Sequence, residues 1–141
     1  DWNNAGTFVP GTSTVVLTDG CGLTSSTLSG TTVFNNLTLT STTGHTFVIP
    51  TGSNIVVTGT LTLQGTNGQP IQVVSAGGSS VIALGPGASV VSNFANVAGN
   101  VQIGNGVPGT NTIPTLSEWA RMLLTLLIAG IAVHSLRRFR A

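Results

Sequence analysis

Residues 54–65 read NIVVTGTLTLQG. Ile55 and Val57 in the first half, and Leu61 and Leu63 in the second, alternate with Val56, Thr60, Thr62 and Gln64, and Gly59 and Gly65 divide and close the stretch. A period of two sends one set of side chains inward and the other outward, which marks strands with one buried face. The pattern continues in both directions. Upstream lie STVVLTDG (13–20), TTVFNNLTLT (31–40) and HTFVIPTG (45–52). Downstream lie QPIQVVSAGG (69–78), SSVIALGPG (79–87), ASVVSNFANVAG (88–99) and NVQIGNG (100–106). Gly52, Gly59, Gly65, Gly68, Gly77, Gly78, Gly85 and Gly87 punctuate these phrases, where turns demand positive φ or close backbone approach. No useful stretch of helical period precedes Ile113, so residues 1–106 are predicted to form an all-β head.

Two architectures fit strands at this spacing. One is an antiparallel β-sandwich. The other is a parallel β-helix, with two or three short strands per rung and rungs stacked on one another. The phrases VFNNLTLT, IVVTGTLTLQG and VVSNFANVAG repeat one vocabulary of apolar residues, Asn and Thr. Stacking rewards such repetition, because like side chains sit above like ones and Asn and Thr form polar ladders. The β-helix is therefore the preferred expectation and the sandwich its alternative. The run FNNLTLTSTTGHTFVIPTGSNIVVTGTLTLQG (34–65), followed by ASVVSNFANV (88–97), resembles bacterial secreted right-handed β-helix surface proteins. That resemblance implies a small right-handed parallel β-helix.

Composition narrows the function. Only 5% of the 141 residues are charged, against about a quarter in an average soluble protein. Residues 20–117 contain no Asp, Glu, Lys or Arg at all. A surface so poor in charge has little electrostatic protection against association, which points to assembly or to anchoring outside the cytosol. Disorder is set aside because Val, Ile and Leu recur in alternating runs able to build a core. The net charge of +1 conceals an asymmetry: residues 1–117 carry −2 and residues 118–141 carry +3. The basic part is too apolar and the rest too acidic for a nucleic-acid groove, so no nucleic-acid partner is expected. The chain starts at Asp1 and its single Met is Met122, so we expect a processed product whose export signal has been removed.

The charges gather in the last segment, IPTLSEWARMLLTLLIAGIAVHSLRRFRA (113–141). Pro114 ends an incoming strand, Thr115 or Ser117 can cap a helix, and Glu118 suits its first turn. The apolar stretch is Met122, Leu123, Leu124, Leu126, Leu127, Ile128, Ala129, Gly130, Ile131, Ala132 and Val133, interrupted by Thr125. Continued to Leu136 as a helix it would span about 22 Å at 1.5 Å per residue, short of a hydrocarbon core of about 30 Å. Trp119 at one end and Arg137, Arg138 and Arg140 at the other would anchor it at the interfaces, the arginines facing the cytoplasm as a stop-transfer signal. Its apolar surface must meet lipid or other copies of itself, and Ala129, Gly130 and Ala132 permit close helix approach. The predicted organisation is a β head over 1–106, a linker over 107–115 and a hydrophobic C-terminal α-helix over 116–141.

Ile113, Pro114, Thr115, Leu116, Ser117, Glu118 and Trp119, then an apolar segment, then an Arg-rich end, together resemble the IPTL-CTERM protein-sorting domain, a relative of the PEP-CTERM signals. Ala120 stands where Gly is usual, and Arg121 enters the apolar segment early. The resemblance implies export by a Gram-negative bacterium, passage through the inner membrane and processing by an exosortase-type membrane enzyme, with residence at the cell envelope, the cell surface or outside it.

Chemistry-bearing residues are few. His45, in TTGHTF, is expected at an exposed turn, and His134 lies in the tail. Asp1 and Asp19 are the only acids of the head, too few for a glycosidase pair with supporting groups or for a calcium site. GNGVPG (104–109) matches a dinucleotide fingerprint formally, but no helix follows it and Pro108 interrupts it, so it reads as a turn-rich linker. Cys21 is alone and reads as a small buried residue, or else as a thiol bridging two chains. The sequon Asn36-Leu37-Thr38 would matter only in a glycosylating pathway. We therefore expect no enzyme activity, no cofactor and no metal. The leading expectation is an exported structural protein, a homo-oligomer or polymer forming a filament or matrix with the C-terminal helix packed between copies. Its rival is a membrane-anchored or sorted adhesin that binds a surface glycan.

Overall fold

The computed structural model describes residues 1–20 and 22–104. Twelve strands follow one another: β1 (Trp2–Asn4), β2 (Thr14–Thr18), β3 (Ser25–Phe34), β4 (Asn36–Thr40), β5 (Thr46–Pro50), β6 (Asn54–Val57), β7 (Thr60–Gln64), β8 (Ile71–Ala76), β9 (Ser80–Leu84), β10 (Ser89–Asn93), β11 (Ala95–Val97) and β12 (Val101–Gly104). Every ladder between them is parallel, which excludes the antiparallel sandwich. The isolated antiparallel bridge Thr66↔Gln69 merely closes a turn.

The chain winds as a parallel β-solenoid with three faces. The first face stacks β2, β4, β7 and β10. The second stacks the start of β3 on β5, β8 and β11, and the third stacks the end of β3 on β6, β9 and β12. Parallel neighbours need a long crossover between them, and here the other two strands of each turn supply it. One turn advances the chain by 22 residues from Thr14 to Asn36, 24 from Asn36 to Thr60 and 29 from Thr60 to Ser89. β1 was not foreseen; it pairs with the middle of β3, Trp2 opposite Leu28.

Alternation and register together build the core. Leu37 stacks on Leu61, Leu39 on Leu63, Phe47 on Val73 and Ile55 on Ile82, all within 1% of complete burial. Each such side chain contributes about 1.5–3 kcal/mol of transfer free energy. Between the strands Gly52, Gly68, Gly77 and Gly87 have positive φ, and Gly59, Gly65 and Gly85 lie where backbones approach closely. Both uses anticipated for the punctuating glycines therefore occur. The predicted linker, the predicted C-terminal helix and Cys21 lie outside the described residues.

Candidate functional site

The sequence placed function in the tail. The sorting motif Ile113–Trp119, the apolar segment Met122–Val133 and the arginines 137, 138 and 140 all lie outside the described residues. The described residues offer two regions for inspection: a polar corner between the first two turns, and the end of the solenoid farthest from Asp1.

The corner is built on Asp19, which follows β2, and on the turn 41–45 between β4 and β5. Thr43 Oγ1 donates to Asp19 Oδ2 at 2.8 Å, Ser41 Oγ to the same oxygen at 3.0 Å, and Thr18 Oγ1 to Oδ1 at 2.9 Å. The Thr42 N–H adds a longer bond of 3.3 Å. Ser41 Oγ in turn accepts the N–H groups of Thr43 and His45 at 3.0 and 3.1 Å. Donors from Thr43, Thr18 and Ser41 hold the Asp19 carboxyl well below the usual carboxylate range, against a smaller opposing effect of desolvation. Asp1 is engaged elsewhere, accepting the Thr27 N–H at 2.8 Å. The two head acids thus serve separate hydrogen bonds.

His45 corrects an expectation. It is 2% exposed, not a surface residue, because position 45 shares the inward parity of Phe47 and Ile49 on the strand that follows. Its Nε2 meets Ser26 Oγ at 2.8 Å and its ring meets Phe47 edge-on at 5.1 Å. Nδ1 is buried without a hydrogen-bond partner. A serine–histidine contact resembles half of a nucleophilic triad, but such a site needs a third group on the far nitrogen to orient the ring. Among the described residues none is present, and the depression of about 510 Å³ beside it is lined there by Leu23, Ser25, Thr43 and Thr46. The corner's chemistry is that of a clamp joining two turns. The signal for it was the hydroxyl run STTGH after a strand; its partner Asp19 becomes visible only when the turns stack.

A clean acid titration follows. A carboxyl depressed in the folded state is protonated first on unfolding, so its contribution is present above its ordinary value of 3.8 and fades as the pH falls below it. The melting temperature of the protein is expected to hold from pH 7 to about 4.5 and then to decline towards pH 2. Asp19→Asn should start lower at neutral pH and lose much of that acid decline. Circular-dichroism melts across this range check it, and parallel curves for the two proteins would remove Asp19 from the account.

Among the described residues the far end of the solenoid carries no further strand. β10, β11 and β12 pair with β7, β8 and β9 on one side and with no strand on the other among the described residues. Val90, which faces the core in register with Leu61, is 42% exposed, and Val97, in register with Val73, is 38% exposed. Phe94 between β10 and β11 has φ of 50° and is 54% exposed. A bulky residue in the left-handed region is uncommon; its carbonyl is fixed there by the Ile71 N–H at 3.0 Å. The opposite end is partly closed, since Trp2 and Phe8 pack on Phe34 with ring centroids 5.1 and 5.8 Å away.

Among the described residues no group of three or more His, Cys, Asp or Glu approaches metal-binding geometry, and no helix is long and apolar enough to cross a membrane. No curated protein and no solved structure matches the chain. Residues 112–138 match the IPTL-CTERM motif, a sorting signal that implies processing by an exosortase-type enzyme during export and that marks exported, cell-surface proteins of Gram-negative bacteria.

Proposed function

We propose that this chain is a structural, non-catalytic subunit of the cell surface, exported and sorted through its C-terminal segment, whose solenoid head joins other copies end to end. The observation that carries the reading is the far end of the solenoid. Three strand edges without a strand neighbour among the described residues, beside core-facing Val90 and Val97 and the exposed Phe94 ring, are a template for another β surface. Natural edges are ordinarily blunted by Lys or other charges, and residues 20–117 carry none. The exposed edge of β2 at the other end offers the complementary partner. The reading assigns no catalysis to the Ser26–His45 contact, whose far nitrogen has no partner among the described residues.

Negative-stain microscopy and intact mass on one preparation test it. Material recovered from producing cells should form elongated particles, and Val90→Lys with Val97→Lys should disperse them while leaving the circular-dichroism spectrum unchanged. A mass ending near Ile113 is expected of the sorted product. A mass running through Ala141 in the same particles would instead put the apolar segment between copies. Dispersed single heads from the parent protein would remove assembly from the reading.

A further inference from the structure

The outward side of the first face is a register-locked array. Its central column runs Val16, Thr38, Thr62, Val91, and the columns beside it run Thr14, Asn36, Thr60, Ser89 and Thr18, Thr40, Gln64, Asn93. The outer columns are laced along the solenoid axis. Asn36 Nδ2 donates to Thr14 Oγ1 at 3.3 Å, and the Thr60 N–H donates to Asn36 Oδ1 at 2.8 Å. Thr60 and Ser89 share a bond of 3.2 Å, and Asn93 Nδ2 donates to Gln64 Oε1 at 3.2 Å. The hydroxyls of Thr38, Thr40 and Thr62 have no hydrogen-bond partner among the described residues and lie on the outward side of their strands. β-Branched side chains have few rotamers, so Thr and Val in the central column hold their methyl and hydroxyl groups in nearly fixed places.

The repeat distances follow from strand geometry. Neighbouring turns lie about 4.8 Å apart and alternate residues along a strand about 6.7 Å apart. In-register stacking with side-chain ladders favours a flat sheet. The face is therefore a grid of hydroxyls and methyls, with carboxamides of Asn36, Gln64 and Asn93 in its outer columns, and none of its side chains is charged or aromatic. A soluble glycan would seek an aromatic platform, and this face has none. Charged groups would hold hydration shells at odds with any ordered water layer, and these too are missing. A rigid grid with unpartnered hydroxyls suits a ligand that is itself flat and periodic and made of hydrogen-bonding oxygens at similar repeats, because no ordering cost is left for the protein at contact.

We propose that the face of β2, β4, β7 and β10 adsorbs to the surface of ice, the hydroxyls of Thr38, Thr40 and Thr62 taking positions of lattice waters and the methyls of Val16, Thr38, Thr62 and Val91 filling the spaces between them.

The test is ice recrystallisation by the full chain in a non-ionic detergent, against a protein-free blank. Micromolar protein should arrest the growth of ice grains during annealing. Thr38→Lys and Thr62→Lys should each raise the concentration needed at least tenfold. Val48→Lys, which places the same charge on the outward side of the second face, should leave it unchanged, with circular dichroism confirming that all three variants fold. Grain growth equal to the blank, or equal potency in the parent protein and Thr38→Lys, would overturn the proposal. So would depletion of the chain by crystalline cellulose, or formation of a dimer, that Thr38→Lys abolishes while grain growth follows the blank in every sample; the face would then serve a polysaccharide surface or a second copy.

Discussion

Gly65→Ala is expected to lower the stability of the solenoid by about 3 kcal/mol or more, at or beyond the upper end for overpacked interiors. Gly65 closes β7 at the corner where the third and fourth turns meet; its N–H donates to Asn93 O at 2.9 Å, and it is buried. A Cβ at this position would run into the Phe94 carbonyl oxygen and would stand 2.8 Å from Ile71 N. Those two atoms are hydrogen-bonded to each other at 3.0 Å. The clash is therefore with a backbone bond that ties two turns together, and no side-chain rotation relieves it. Gly68 gives the contrast: a Cβ there meets nothing within 4 Å, and only its φ of +78° opposes substitution. Gly68→Ala should cost about 1–2 kcal/mol. In thermal melts the first change should lower Tm by roughly 12–24 °C and the second by about a third to two thirds of that. Equal shifts would show that the corner tolerates a spread of the turns, and the packing account of Gly65 would fail.

The same corner shows what the sequence could and could not reveal. Alternation around Ile55, Leu61 and Leu63 revealed strands and their buried sides, because parity is a local property and each inward side chain here is one of an alternating set. The glycines marked the turns for an equally local reason. Pairing is not local. A strand followed by a turn reads alike whether the chain folds back as a hairpin or bends onward to the next face, and the advance per turn changes from 22 to 29 residues, so no fixed period shows in the text. Repeated vocabulary favoured stacking, and it did so correctly because Leu37 does lie on Leu61 and Thr38 on Thr62. His45 was misplaced for want of parity: it precedes β5, and only its spacing of two from Phe47 betrays its burial. The Asp19 clamp and the Thr grid are products of register, invisible until turns are superposed. β1 was missed because three residues hold too little pattern to stand out from a loop.

That short strand carries the second large effect. Trp2→Ala should cost about 3 kcal/mol. The Trp2 ring packs edge-on against Phe8, with centroids 5.2 Å apart and an interplanar angle of 84°, and meets Phe34 at 5.1 Å. Its Nε1 donates to Thr32 Oγ1 at 3.0 Å, and Thr32 is 2% exposed. Truncation removes an aromatic lid from the fully buried Phe34 and strands a buried hydroxyl. Trp→Ala in a complete core costs about 3–5 kcal/mol, and the half-exposed position of Trp2 lowers that figure, while loss of the hydroxyl's partner adds about 1–3 kcal/mol. Trp2→Phe separates the two parts: it keeps a ring on Phe34 and deletes the N–H, so it should retain more than half of the lost stability. Denaturant titration followed by circular dichroism reads both, with the transition midpoint falling and its slope preserved. The lid also bears on assembly. If apolar ends drive association, uncovering Phe34 enlarges the adhesive surface of the end that carries β2, and Trp2→Ala should sediment as larger particles than the parent at equal concentration. A variant that is destabilised as expected yet sediments unchanged would leave the β2 edge without Phe34 as the contact at that end, whereas unaltered stability would mean that Trp2 covers nothing the core needs.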